Sequence, residues 1–286
     1  MINYWWQLVL SITAIVFGII GMHTAKQWNW LKSGVGTGTF FISLGLVFWG
    51  IGQCLWTYYL IRDPNHESPS SIIMDIGYFL SIPMWAYGIL RLSEATGAKY
   101  GLKETRGRIS VVVISTIMIV VSYYFLVVLA RGGTVYFSQS FQTMFFDLGY
   151  AIGDAINFTM TLVIVTLSWK LLGGKFRPSI LLVLASFGIV YIADFMYSYY
   201  DGKGWYYNGD VVDLPYLLML TTFAIGLSML DPSHKIMKVK PKSGTIGEET
   251  VVQNPAKKVN DAQPLDQLTQ EQAPDLNQIS LKTEIQ

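Results

Sequence analysis

Residues 35–60 read VGTGTFFISLGLVFWGIGQCLWTYYL, without a single charged side chain. About 20 apolar residues in a helix cross the roughly 30 Å of hydrocarbon in a bilayer. In lipid every backbone amide must find its partner within the protein, and a helix does this within one segment. The run is therefore read as a transmembrane helix. Working outward, six more stretches have the same character: 4–22, 71–92, 109–130, 143–169, 178–200 and 210–230. The expected fold is all-α, an integral membrane bundle of seven transmembrane helices over residues 1–230.

Composition agrees. The 286 residues are 52% hydrophobic and 14% charged, with mean hydropathy +0.39, where soluble domains carry about a quarter charged residues. The first stretch reads as a span rather than a cleavable leader, because the first lysine, Lys26, lies on its far side and no small-residue cleavage site follows. Orientation follows from the basic residues. With seven spans, 17 of the 20 lysines and arginines fall in the odd-numbered connections and the C-terminal region, and only Arg62, Arg131 and Lys203 fall on the other side. The N-terminus is expected outside and the C-terminus in the cytoplasm of a multi-pass cell-membrane protein, with Trp5 and Trp6 at the outer interface.

Beyond residue 230 the material changes. Asp231-Pro232 stops the last helix, HKIMKVKPK (234–242) is basic, and the remainder is polar without periodicity. Residues 231–286 are expected to be a disordered cytoplasmic tail, its basic stretch lying on anionic lipid. The tail is too short for a kinase or cyclase domain. Nucleic acid is not an expected partner.

Internal repetition organises the bundle. The third, fifth and seventh spans open with MDIGYFL, FDLGYAI and VDLPYLL, each pairing an Asp with a Tyr three residues on: Asp75/Tyr78, Asp147/Tyr150 and Asp213/Tyr216. The spans before them end near tyrosine pairs, Tyr58–Tyr59, Tyr123–Tyr124 and Tyr199–Tyr200. The arrangement reads as one helix plus three repeated helical hairpins. A capping role for Asp75 and Asp213, with the tyrosines in an interfacial belt, accounts for part of the pattern.

The fifth span carries the clearest functional signal. Asp147, Tyr150, Asp154, Asn157 and Thr161 recur at steps of 3, 4, 3 and 4, which places them on one helix face. A polar stripe at membrane depth faces the bundle interior, and ionisable residues there are costly enough to mark function. Asp154 falls near the midplane, and no Lys or Arg lies at that depth on any span. The sixth span adds Tyr191 and Asp194; the second adds Trp49, Gln53 and Trp56 on one face. Aligning WGIGQCLWTYY with IVYIADFMYSYY places Gln53 where Asp194 stands. Two readings stay open for these residues: an interhelical hydrogen-bond network that fixes packing, or an outward-facing acidic and aromatic pocket for a cation or small ligand.

Several classes are disfavoured. The last span has no lysine for a retinal Schiff base. Cys54 is the lone cysteine, and His23, His66 and His234 are scattered, so no metal site or other cofactor is expected. No phosphate-binding loop or nucleophile elbow is found, so an enzyme is not expected.

Residues 41–92, FISLGLVFWGIGQCLWTYYLIRDPNHESPSSIIMDIGYFLSIPMWAYGILRL, and 185–230, ASFGIVYIADFMYSYYDGKGWYYNGDVVDLPYLLMLTTFAIGLSML, resemble the multi-span membrane input regions that precede diguanylate cyclase, PAS and histidine-kinase modules in prokaryotic signalling proteins. The resemblance covers roughly residues 35–230 and rests on hydrophobic spacing plus a few polar anchors: Asp75, Tyr78, Asp147, Asp154, Asp194, Asp213 and Tyr216. It implies a sensing module. The chain departs from the pattern at Gln53, where an acid is expected, and in having no output domain. The expected function is a stand-alone sensor-like or accessory membrane protein acting through a cytoplasmic signalling partner. A proton-coupled or small-solute transporter and a structural subunit of a membrane complex are the alternatives.

Overall fold

The computed structural model describes residues 2–62, 72–133, 141–169 and 176–231; within these, the side chains at 2, 3, 141–144 and 147 are not described. All of these residues belong to a compact unit spanning Met1–Val239. The expected tail lies outside the described residues from 232 onward.

Among the described residues every regular element is helical. The long helices are α1 (Ile2–Gln27), α2 (Gly34–Arg62), α3 (Ile72–Thr96), α5 (Thr105–Tyr123), α6 (Phe141–Ser168), α7 (Arg177–Gly202) and α8 (Asp213–Met229); α4 (Ala98–Gly101) is a single turn. Six helices are long and apolar enough to cross a membrane, the pattern of a multi-pass membrane protein, and α8 is shorter at 17 residues. Helix ends differ from the sequence reading by a few residues throughout, and two differences bear on the site's surroundings. Turn hydrogen bonds between Tyr207 and Asp210 and between Asp210 and Asp213 hold residues 210–212 out of α8, so that helix starts later than position 210. Beyond Tyr123, α5 continues as a π-helical segment, Tyr124–Leu129, in place of regular α-helix.

The exterior is apolar. Ile12, Val16, Ile19, Ile76, Leu90, Val112, Ile119, Ile156, Ile192 and Leu218 all lie more than 40% exposed, far more greasy surface than a soluble monomer presents. The buried set includes Gln7, Ser11, Gln53, Thr57, Ser81, Asp154, Asn157, Thr161 and Asp213. Apolar residues outside and polar ones inside suit a lipid solvent.

Helix contacts run α1–α2–α3–α6–α7–α8 and close through α8 on α1, with α5 outside the ring against α6. Small residues set the spacing, as in other membrane bundles. A Cβ on Gly21 would lie 2.1 Å from Ser43 Oγ, and one on Gly77 would lie 3.0 Å from the Gly52 backbone. Within the bundle, Trp85, Phe187 and Phe223 fill the ring near the middle of α3, α7 and α8, with centroids 5.1–6.1 Å apart. All three side chains are under 2% exposed. Toward the end where α3 and α6 finish, the buried polar residues are small hydroxyls such as Thr39, Ser43, Thr96 and Ser168, while the buried acids and amides lie on the other side.

Candidate functional site

The polar half lies toward the end of the bundle where α1, α3, α6 and α8 begin. Its centre is an acid pair. Asp154, near the middle of α6, and Asp194 of α7 bring their carboxyl groups within reach of each other. A carboxylate is only an acceptor, so two such groups can bond each other only when one of them carries a proton. Tyr216 of α8 donates to Asp194 Oδ1 at 2.6 Å. No Lys or Arg among the described residues neighbours either acid. Asp154 is buried, while Asp194 and Tyr216 are half-buried.

Aromatic rings surround the pair. Trp49 of α2 sits between Tyr78 and Tyr216, with centroids 5.9 Å from each. Tyr78 donates to Gln53 Oε1 at 2.6 Å, and its ring meets Tyr150 edge-on at 6.3 Å. Tyr150 in turn donates to Asp75, reaching its backbone carbonyl at 2.9 Å and its carboxylate at 3.1 Å. The Gly52–Gly77 approach makes the α2 contact possible, because it brings the helix carrying Tyr78 against the one carrying Gln53.

From Gln53 the network continues to the bundle end. Gln53 Nε2 donates to Gln7 Oε1, and Gln7 Nε2 donates to Asp213 Oδ2 at 2.8 Å. Asp213 also accepts the Gly209 N–H at 2.7 Å and the Tyr206 hydroxyl at 3.3 Å. The α7–α8 connection is thereby tied inward. Asn208 Oδ1 accepts from Trp56 Nε1 at 2.9 Å, and the Tyr206 ring lies 4.8 Å from that of Tyr197. Burial, with the Asp213 carboxylate beside it, pushes the Tyr206 phenol far above its ordinary value, so it remains a proton donor.

The singled-out residues thus divide. Asp154, Asp194, Tyr216 and Tyr78 gather around one centre. Gln53, Trp56, Asp213, Asp75 and Tyr150 form the network around and above it. Tyr191 turns away to meet Ser122 of α5 at 2.9 Å, stacking on Phe158 at 5.3 Å. Asn157 is fully buried and reaches the Ile82 carbonyl of α3 at 3.5 Å. The Asp147 side chain lies outside the described residues. Asp213 acts as a tether for the preceding turn and for α1, a larger role than helix capping. Sequence reasoning missed Gln7, Tyr206 and Asn208. A lone Gln in the apolar first stretch was the available signal for the first.

Among the described residues no three His, Cys, Asp or Glu side chains cluster as a metal site. The arrangement can hold a proton, and through carboxylate charge and ring faces it can attract a cation. No protein family, curated protein or solved structure matches the chain.

Proposed function

We propose that the chain is a seven-span cell-membrane protein, N-terminus outside, that binds a small cation or cationic solute at the Asp154–Asp194 pair. Occupancy shifts helix positions and is read by a cytoplasmic partner, so the protein works as a sensor-like or accessory component without catalysis of its own. The observation that carries this reading is the acid pair: two carboxyl groups face each other within apolar helices, one of them held by Tyr216 at 2.6 Å, with no Lys or Arg among the described residues beside them. Intramembrane acids are expensive, and packing alone needs only neutral donors and acceptors, as Gln53 supplies at the equivalent place on α2.

The seventh span is α8. Its 17 residues rise about 25 Å, and it packs between α7 and α1. The distribution of basic residues supports the orientation, and the resemblance to membrane input regions supports signalling.

A second reading, a proton-coupled carrier, draws on one further feature. Pro83 lies inside the otherwise continuous α3, beside the Ile82 carbonyl that Asn157 reaches, and proline-bearing helices near midplane acids suit transporters. Flux into proteoliposomes that disappears in Asp154→Asn would favour it.

The deciding experiment measures thermal stability of the purified protein against mono- and divalent cations and small amines. A ligand at a hundredfold excess over Kd stabilises the folded state by about 2.7 kcal/mol. The reading requires a stabilising cation whose effect is lost in Asp154→Asn and Asp194→Asn. A flat response to every compound would refute it and leave the acids as packing.

A further inference from the structure

The connection from α3 to α5 gathers four cations. Lys99, Lys103, Arg106 and Arg108 are all exposed, and none of them forms an ion pair among the described residues. Of the two acids in this stretch, Glu94 is spent on Arg91 at 2.7 Å, and Glu104 pairs with none of the four. The backbone beneath them is ordered. Leu102, Lys103 and Glu104 donate their N–H groups to the carbonyls of Ala98, Tyr100 and Gly101, each at 3.2 Å. The ammonium groups of Lys99 and Lys103 lie 5.5 and 5.6 Å from the centre of one ring, that of Tyr100. A ring face attracts a cation. Two like charges drawn to the same ring also repel each other, and an anion beside them relieves that repulsion.

The same stretch stands at the edge of the apolar surface. Of the six long apolar helices, the one that starts at Thr105 is the least buried, and its exposed face opens with Ile109, Val112 and Val113. Arg106 precedes Ile109 by three residues and Arg108 precedes Val112 by four, so each arginine stands one turn before an apolar side chain on the same face. One turn is about 5.4 Å, comparable with the depth of one headgroup layer. Tyr100 and Leu102 are exposed among the cations, the mixture of ring, apolar and basic side chains that suits a membrane interface. Trp169, just beyond α6, is exposed as well and holds the Arg177 guanidinium 4.9 Å from its ring. Gly101 packs on the Leu167 backbone two residues before it, so both groups share one level. An acidic protein would meet the cations from the aqueous side. The apolar side chains interleaved with them, and the exposed apolar helix directly behind, favour lipid.

We propose that Lys99, Lys103, Arg106 and Arg108 bind the phosphates of anionic phospholipids, with Tyr100 and Leu102 at the boundary between headgroups and acyl chains. Arginine meets a phosphate through two parallel N–H groups, and lysine meets it as a point charge. The contact is ionic and reversible, and because the four groups are exposed it weakens with salt. Gly101 meets α6 at Leu167, 13 residues from Asp154 and so about 20 Å along the helix. The lipid surface is therefore separate from the acid pair, and the inference stands whether or not Asp154 and Asp194 bind a cation.

The test uses the full chain purified in detergent, with phosphatidylglycerol, phosphatidylcholine or inorganic phosphate added. Native mass spectrometry counts the lipid retained, and the melting temperature reads its effect. Phosphatidylglycerol should be retained about tenfold or more over phosphatidylcholine and should raise the melting temperature, a gain that fades in high salt. Lys99→Gln with Lys103→Gln, and Arg106→Gln with Arg108→Gln, should each lower phosphatidylglycerol retention about tenfold. Lys26→Gln with Lys32→Gln, exposed cations of the α1–α2 connection, should leave most of it. Equal retention of the two lipids by the wild type would overturn the proposal. So would equal losses in the loop variants and the Lys26 and Lys32 control, which would reduce the effect to a general attraction of basic residues for anionic lipid. A melting response to inorganic phosphate as large as that to phosphatidylglycerol would also overturn it, leaving an anion site in place of a lipid surface. The exchanged loop residues are exposed and unpaired, and the single exchanges stand in where a pair fails to fold.

Discussion

Tyr78 and Tyr216 make the same contact on two helix pairs. Tyr78 of α3 donates to Gln53 of α2 at 2.6 Å, and Tyr216 of α8 donates to Asp194 of α7 at 2.6 Å. The repeat inferred from sequence thus has a counterpart in side-chain geometry, with an amide in one copy and an acid in the other. Applying the same register to α5 places Met118 at the acceptor position, and in that pair Tyr150 bonds Asp75 of α3. Phenylalanine in place of Tyr216 should therefore cost about 0.6–1.7 kcal/mol, the range of interhelical bonds in membranes, and should also weaken the cation response. Phenylalanine in place of Tyr78 should cost a similar amount and leave that response largely intact. Thermal melts with and without ligand separate the two. Gln7→Leu removes partners from both Gln53 and Asp213; leaving buried groups unpaired costs about 1–3 kcal/mol, so its melt should show the larger loss. The acids were legible in the sequence because helical spacing aligned them. Gln7 was not, because its partners lie 46 and 206 residues away and no local pattern announces such a pairing.

Helix spacing depends on glycine where two backbones nearly touch. Gly77 faces Gly52 across α2 and α3, and any Cβ there would be 3.0 Å from backbone, which cannot yield as a side-chain tip can. Gly77→Val should therefore push the helices apart, costing roughly 1–3 kcal/mol, and should break the Tyr78–Gln53 bond one residue away. A lowered melting temperature together with a Tyr78→Phe-like ligand response is the expected signature. Existence of the helices followed from hydrophobic length alone, since lipid leaves few alternatives to a helix. Their ends were less legible. The α3 helix runs on to Thr96, where Arg91 pairs with Glu94 at 2.7 Å, because i,i+3 charges stabilise a helix beyond its apolar stretch. The π-helical end of α5 has no composition signal, as its YFLVVL sequence suits an α-helix equally well.

Across the whole molecule, aromatic packing and polar chemistry separate by level. The Trp85–Phe187–Phe223 cluster packs the middle of the bundle, and the acid pair, its tyrosines and the inward-tied α7–α8 connection lie on the side where α1, α3, α6 and α8 begin. The proposed seven-span orientation puts the aromatic cluster on the cytoplasmic side of the acid pair and turns the α7–α8 connection outward, the side from which a ligand would enter. That assignment can be measured directly. Cys54 is the lone cysteine, so a Cys54→Ala background allows single labels to be introduced. Gly204→Cys tests the α7–α8 connection, where Gly204 is exposed with φ of +66°, and Ser243→Cys tests the C-terminal region. A membrane-impermeant maleimide should label the first in intact cells and the second only after permeabilisation. The opposite pattern would invert the protein and place the acid pair within reach of cytoplasmic ions. Labelling of both in intact cells would mean that an even number of spans separates them, removing α8 as a seventh span and with it the orientation argument.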